Sequence, residues 1–232
     1  KGDGALQFVG TGSTSFDGDN DYVDCGSGST IDDVFAGGGT ICVWIKPSSD
    51  GEGTPGYGRI ASKALNNGWE LYVSDESSGS CKVRYYNDFS SNDGRWVTTN
   101  ADITINAWNH VAVTYDNGAT GNNPLIYING ISVAVTEGLT PVGTRVDDSG
   151  QDLWIGNRNG TDKTFDGSIK NVALWNRALT ATEVQNVMYK RYEEVSGRLA
   201  SGLVSWWALE ESKSGDATKA VDSKGSNEGT IT

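Results

Sequence analysis

Four side chains have shapes suited to holding a sugar. Tyr57, Tyr86 and Trp96 offer flat rings and Arg158 a planar set of donors, and all four lie beside Gly-, Asn-, Asp- and Ser-rich segments. Aromatic rings bring large apolar faces, and planar polar groups can take hydroxyls at their edges. Trp44, Trp154 and Trp175 sit instead within apolar, strand-like runs, where packing is the expected use. Oxygen-bearing side chains gather at Asp17, Asp19, Asn20 and Asp21, at Asn157, Asn159 and Asp162, and at Asp222. Such sets are the raw material of a hard-cation site, which needs about six to eight oxygen ligands. The same residue types also make turns, because Asp and Asn bond to their own backbone and tolerate left-handed geometry.

Catalytic chemistry is poorly provided for. Glu70 and Glu76 flank a strand, and Glu210 and Glu211 are adjacent, so on a strand they point to opposite faces and cannot act as a pair. Solvated carboxylates are expected at all four. The one histidine, His110, lies in Trp-Asn-His-Val-Ala-Val, whose alternation continues a core strand, so a structural histidine with satisfied nitrogens is expected rather than a general base. Cys25, Cys42 and Cys81 cannot all pair within one molecule and have no metal-binding spacing. Either one disulfide and a free thiol, or three buried thiols, would fit. A non-enzymatic role follows.

Composition bounds the answer. With 30 acidic and 18 basic residues the formal charge is −12, which excludes nucleic acid as a natural partner and disfavours anionic lipid. No run approaches the ~18 apolar residues of a membrane span, and no signal segment opens the chain. The first residue is Lys1 rather than methionine, as expected of a processed product or a fragment. Thirty-one glycines and nine tyrosines among 232 residues favour short strands joined by tight turns, hence an all-β fold.

The elements that must position these residues follow from periodicity. Strands are expected at 21–25, 40–46, 57–62, 69–73, 81–86, 109–115, 124–128, 131–135, 152–156 and 166–175. Asn129-Gly130 between two of them predicts a type I′ hairpin. Thr180 with Glu183 makes a capping box, and Val184, Val187, Met188 and Tyr192 follow at helical spacing, predicting one short packing helix over about 181–191.

In order along the chain stand Phe16-Asp-Gly-Asp-Asn-Asp-Tyr-Val, Ile41-Cys-Val-Trp-Ile-Lys-Pro, Trp108-Asn-His-Val-Ala-Val-Thr-Tyr-Asp, Ile126-Tyr-Ile-Asn-Gly, Leu153-Trp-Ile-Gly-Asn and Phe165-Asp-Gly-Ser-Ile-Lys-Asn-Val-Ala-Leu-Trp. This succession resembles a LamG-like jelly roll of the concanavalin A-like lectin/glucanase superfamily, and the last two blocks are similar to pentraxins. The resemblance implies a two-sheet antiparallel jelly-roll sandwich with one concave surface and loops along its rim. It implies glycans or a cell-surface polysaccharide as ligand, an extracellular place (secreted, cell surface or virion surface), and Ca2+ held by rim-loop oxygens, with the Asn157, Asn159 and Asp162 cluster in the pentraxin position. Lys170 stands where many relatives carry an acid. Glycosidases of the superfamily use a Glu-x-Asp-x-x-Glu pattern, which does not occur here.

The tail is out of place. Leu203-Val-Ser-Trp-Trp-Ala-Leu and the Val221-Asp-Ser-Lys-Gly stretch resemble the opening strands of the same fold, whose body runs ahead of them from Ala5 to about Tyr192. Leu203 and Trp207 face one way, Val204 and Trp206 the other, so this strand needs cover on both sides. Residues 203–232 can complete their own domain as a circular permutation, be donated to a neighbouring subunit, or open a further repeat. Donation would make Leu203, Val204, Trp206 and Trp207 assembly contacts of a surface filament or virion. The expectation is one sandwich over 1–232 acting as a non-catalytic binding or adhesion module, with self-assembly as the alternative.

Overall fold

Burial alternates strictly along Ser80–Asn87 and Gly94–Thr98, as half-buried strands require, while Asn109–Tyr115 is buried along its whole length. In the computed structural model, which describes residues 12–63, 67–210 and 218–232, such segments assemble into two antiparallel sheets. The smaller sheet holds β1 (Thr14–Asp17), β3 (Gly39–Pro47), β9 (Asn109–Tyr115), β10 (Leu125–Ile128), β11 (Ile131–Val133), β14 (Asp166–Trp175) and β15 (Leu203–Trp207). The larger holds β2 (Val23–Asp24), β4 (Arg59–Ser62), β5 (Trp69–Ser77), β6 (Ser80–Asn87), β7 (Gly94–Thr98), β8 (Ile103–Thr104), β12 (Val135–Leu139), β13 (Trp154–Ile155), β16 (Lys219–Ala220) and β17 (Gly229–Ile231). Its order is β12-β7-β6-β5-β4-β13-β2-β17-β16, with β8 beside β6.

The jelly-roll sandwich with one short helix is therefore the architecture. Among the described residues no helix is long and apolar enough to cross a membrane. Asn129 and Gly130 both take positive φ, 52° and 77°, as the type I′ hairpin between β10 and β11 demands. The 131–135 run is not one strand. It breaks at Ala134, and β12 crosses to pair β7 in the other sheet. The helix, α1 (Ala181–Val187), carries its capping box but ends four residues before the expected Arg191. The Met188 carbonyl, an acceptor that a further turn would use, is taken by Trp44 Nε1 at 3.1 Å.

Two cores result. Between the sheets lie Trp69, Tyr85, Trp96 and Trp207, all fully buried. Between the smaller sheet and the helical segment lie Trp175, Leu179, Val184, Leu203 and Trp206. The tail strands find their partners within the chain. β15 runs antiparallel to β14, with Trp207 opposite Val172 and Leu203 opposite Trp175, and β17 pairs β2. Trp207 thus fills one core and Trp206 the other, but Leu203 lies on the Trp206 side and the half-buried Val204 packs toward Trp207, the reverse of the expected facing, because the ladder to β14 shifts register between Leu174 and Trp175. Trp207 Nε1 donates to the Asn227 carbonyl at 2.7 Å. All three cysteines are unpaired and buried, and burial next to Asp50 and Glu76 pushes the Cys81 thiol up to about 12.

Loops over the larger sheet are clamped by buried ion pairs. Lys63, fully enclosed, bridges Asp32 at 2.6 Å and Asp148 at 2.9 Å, and Arg145 joins Asp33 and Asp148. Gly156, at φ 84°, ends β13 where an added Cβ would stand 2.0 Å from the Phe16 ring. Gly156→Ala combines backbone strain with overpacking and should lower stability by about 2–4 kcal/mol in urea denaturation, with the melting temperature falling accordingly.

Candidate functional site

The larger sheet turns one face to the core and the other to solvent, and the parity of its strands decides which residues form the outer face. On β5, Trp69, Leu71 and Val73 enter the core, leaving Glu70, Tyr72 and Ser74 outside. On β6 and β7 the same rule leaves Lys82, Arg84, Tyr86, Arg95 and Val97 outside, and on β13 it leaves Trp154. Register lines these up in two cross-strand rows. Asp24, Trp154, Ser62, Glu70, Tyr86 and Arg95 form one, and Arg59, Tyr72, Arg84 and Val97 the other.

Charge and aromatic surface interleave along these rows. The Arg59 guanidinium lies 4.1 Å from the Tyr72 ring centre and donates to Glu70 at 2.7 Å. Arg158, from the loop after β13, grips Asp162 with two bonds of 2.8 Å and approaches Glu70 at 3.8 Å. Arg84 holds Asp75 at 2.6 Å and lies 5.6 Å from the Tyr57 ring centre, and Tyr57 meets Tyr72 edge-on at 6.0 Å. Tyr22 stacks on Trp154 with ring centres 4.1 Å apart. Burial raises the Tyr72 phenol above its ordinary value, opposed by Arg59, Arg84 and Arg95. Two donors on this face, Arg59 Nε and Trp154 Nε1, are buried with no hydrogen-bond partner among the described residues.

Three of the four sugar-binding candidates, Tyr57, Tyr86 and Arg158, therefore share one face. Trp96 does not. Its inward parity on β7 leaves it 0 % exposed in the core, stacked on Tyr85 and donating to Asn123 at 2.7 Å, so it is a packing residue. Trp154, placed in a core-like run by its neighbours, belongs on the outer face because Leu153 and Ile155 take the inward positions. Arg59, Tyr72, Arg84, Arg95 and Tyr22 were missed, although the parity of a correctly phased strand would have found all but Tyr22. Glu70 is not solvated: at 8 % exposure it is buried and paired. Glu76 is exposed, and Glu211 lies outside the described residues. Tyr86 Oη lies 2.6 Å from Asp88 and 2.7 Å from Asp93, and burial raises Asp88 above the usual carboxylate range.

Comparison with known proteins places this face in context. Residues 17–185 match the Laminin_G_3 family, of the concanavalin A-like lectin/glucanase superfamily. The chain belongs to that family. Rat neuronal pentraxin-1 (Rattus norvegicus) is 27 % identical over 189 residues, a match covering 78 % of this chain and 39 % of the pentraxin, so the chain spans about two fifths of that relative. A Bacteroides ovatus protein inferred to bind carbohydrate superposes with TM-score 0.67 at 20 % identity, covering 95 % of this chain and 58 % of that one. The CBM40 of a Ruminococcus gnavus sialidase, bound to α2,3-sialyllactose, superposes with TM-score 0.57 at 17 % identity, covering 77 % and 96 %. At these identities the two superpositions establish a shared fold.

Several of the oxygens proposed for calcium are engaged within the chain. Asn157 is fully buried, its amide accepting from the Arg158 and Lys163 N–H groups and donating to the Asp21 carbonyl and to Thr164. Thr164 in turn donates to the Asp19 carbonyl at 2.7 Å, so an amide and a hydroxyl staple together the two loops that a cation would bridge. Asp17 and Asp21 accept backbone N–H groups of their own turn. Asp162 is spent on Arg158, Asn159 is exposed, and the Asp222 carboxylate accepts from Trp206, Lys224, Gly225 and Asn227. Among the described residues no group of three or more acidic, histidine or cysteine side chains is placed to hold a metal ion. Adding EDTA should leave the melting temperature of the protein unchanged within error, whereas a structural calcium would show as a clear fall.

His110 is buried at 2 % exposure on the smaller sheet, edge-on to Trp44, and its Nδ1 has no partner among the described residues, so it is not the satisfied histidine expected. Burial lowers its pKa to about 3 from an ordinary 6.5. The unfolded chain therefore takes up the proton first. Stability should fall by about 1.4 kcal/mol for each pH unit below 6.5 toward 3, and comparing thermal melts of wild type and His110→Gln should isolate that slope.

Proposed function

We propose that this chain is a non-catalytic carbohydrate-binding module that works outside the cell in glycan recognition or adhesion, with its site on the outer face of the larger sheet. The observation that carries the reading is the meeting there of half-buried aromatic surface (Tyr22 and Tyr57, backed by the buried Trp154 and Tyr72) with fixed planar donors (Arg59, Arg84, Arg158). Sugars need both: apolar ring faces stack on aromatics, and hydroxyls take directed hydrogen bonds. The unpaired buried donors Arg59 Nε and Trp154 Nε1 supply a gain on binding, since an acceptor from a ligand removes a standing desolvation cost.

Support also comes from the bacterial module seen with sialyllactose, which has this fold. An acidic, lysine-poor composition suits an extracellular or virion surface. The strand-exchange alternative would require β15 to leave β14, to which it is bonded within the chain.

Binding to a glycan array or polysaccharide panel should weaken about 10-fold or more on Tyr22→Ala and on Tyr57→Ala, with the fold intact by circular dichroism. Undiminished binding in both variants would remove the site from this face.

A further inference from the structure

Four Asn-Gly pairs stand in the chain, beginning at Asn67, Asn117, Asn129 and Asn159. An asparagine followed by glycine can react with its own backbone, because the glycine nitrogen, unshielded by a side chain, is free to reach the asparagine Cγ and close a ring. The fold treats the four pairs very unequally.

Three are locked. Gly68 is buried and its N–H donates to Asp88 Oδ2 at 2.7 Å, so the nitrogen that would attack is held by a carboxylate. Gly118 N–H donates to Asp116 Oδ1 at 2.9 Å, and the Asn117 amide donates to the Ala36 carbonyl at 2.9 Å. Asn129 Oδ1 accepts from His110 N–H at 2.9 Å, and Gly130 is buried against Gln185 and Met188. In each pair, ring closure must first break a contact that the fold holds.

Asn159 is the exception. Asn159, Gly160, Thr161 and Asp162 are all exposed, and neither the Asn159 amide nor the Gly160 N–H has a hydrogen bond among the described residues. One backbone bond closes the turn, from Thr161 N–H to the Arg158 carbonyl at 3.0 Å, and the ion pair of Arg158 with Asp162 brackets it. The Asp162 side chain is 51 % exposed, and an ion pair so open to solvent contributes little. Local opening of this turn therefore costs less than opening at the three locked pairs.

We propose that Asn159 is a spontaneous modification site, converting to aspartate and isoaspartate while the other three pairs stay intact in the folded protein. The Gly160 nitrogen bonds to Asn159 Cγ and gives up its proton; the bond from Cγ to Nδ2 breaks, and ammonia leaves with that proton. Water then opens the resulting succinimide at either carbonyl. Opening at Cγ gives aspartate, and opening at the backbone carbonyl gives isoaspartate, which adds one carbon to the main chain between Arg158 and Asp162. Either product sets a new carboxylate next in sequence to Arg158, beside the outer face, as a competitor of Asp162 for that guanidinium.

The test incubates the whole folded chain in a mildly alkaline, ammonia-free buffer, digests it in acid so that no further reaction occurs, and follows the four Asn-Gly peptides by mass spectrometry. The Asn159 peptide should gain the mass of an amide-to-acid exchange about 10-fold faster than any other, since the rest must open locally first. In guanidinium chloride the four rates should converge. A more acidic form should grow in on anion exchange and be absent from Asn159→Gln, a variant with the wild-type melting temperature. Equal rates at all four pairs in the folded chain, or a faster one at Asn67, Asn117 or Asn129, would overturn the assignment. So would an Asn159 peptide that converts in guanidinium chloride but not in the folded chain.

Discussion

Everything on the outer face depends on the period of two in the larger sheet. Trp69, Tyr85 and Trp96 are wholly buried between the sheets, and each fixes the direction of the residues beside it in sequence: Glu70, Arg84, Tyr86 and Arg95 are outside because those rings are inside. A one-residue slip of β6 would drive Arg84 and Lys82 into the apolar core, at a cost of several kcal/mol per unpaired ion. The aromatic core therefore acts at a distance on recognition, by forbidding any register in which the charged rows fail to line up.

Pairing also stiffens the site before any ligand arrives. Tyr72 is on a solvent-side face yet only 6 % exposed, because Arg59 covers its ring and Tyr57 abuts its edge. Glu70 holds Arg59 and steadies Arg158, so neither guanidinium must be ordered anew on binding. Long side chains frozen in advance spare a bound ligand their rotamer entropy. The loops that frame the face are fixed the same way, by the buried Lys63, Asp148 and Arg145 network and by Asn157 and Thr164, which join two loops.

Much of this was legible in the sequence. The sandwich, the Asn129-Gly130 hairpin, the Thr180 capping box and most core strands follow from alternation and local turn chemistry. β7 was missed because Gly94, Arg95 and Thr98 dilute its apolar content, and with it went the parity that buries Trp96. Glu70 was assigned to solvent because its partner Arg59 is eleven residues away on another strand, a pairing that only register reveals. The same limit hid Arg84 and Arg95, which only the register of β5, β6 and β7 sets on one face with Tyr72. The calcium expectation came from residue types, and the structure engages Asp17, Asp21 and Asp222 with backbone N–H groups and Asp162 with Arg158.

The pairing of β17 with β2 sets residue 230 against residue 24 and residue 231 against residue 23. Between them in sequence lies nearly the whole chain, so the larger sheet contains a contact of almost the greatest sequence separation available. Loop-closure entropy makes such contacts slow to form. During synthesis the partner for β2 emerges only after all the residues between them, and until then one side of β2 offers unpaired backbone groups to any neighbouring nascent chain. The domain is thus bound to complete its folding only after translation has passed residue 231, with β2 in the meantime an exposed strand edge that a chaperone or rapid export would have to protect.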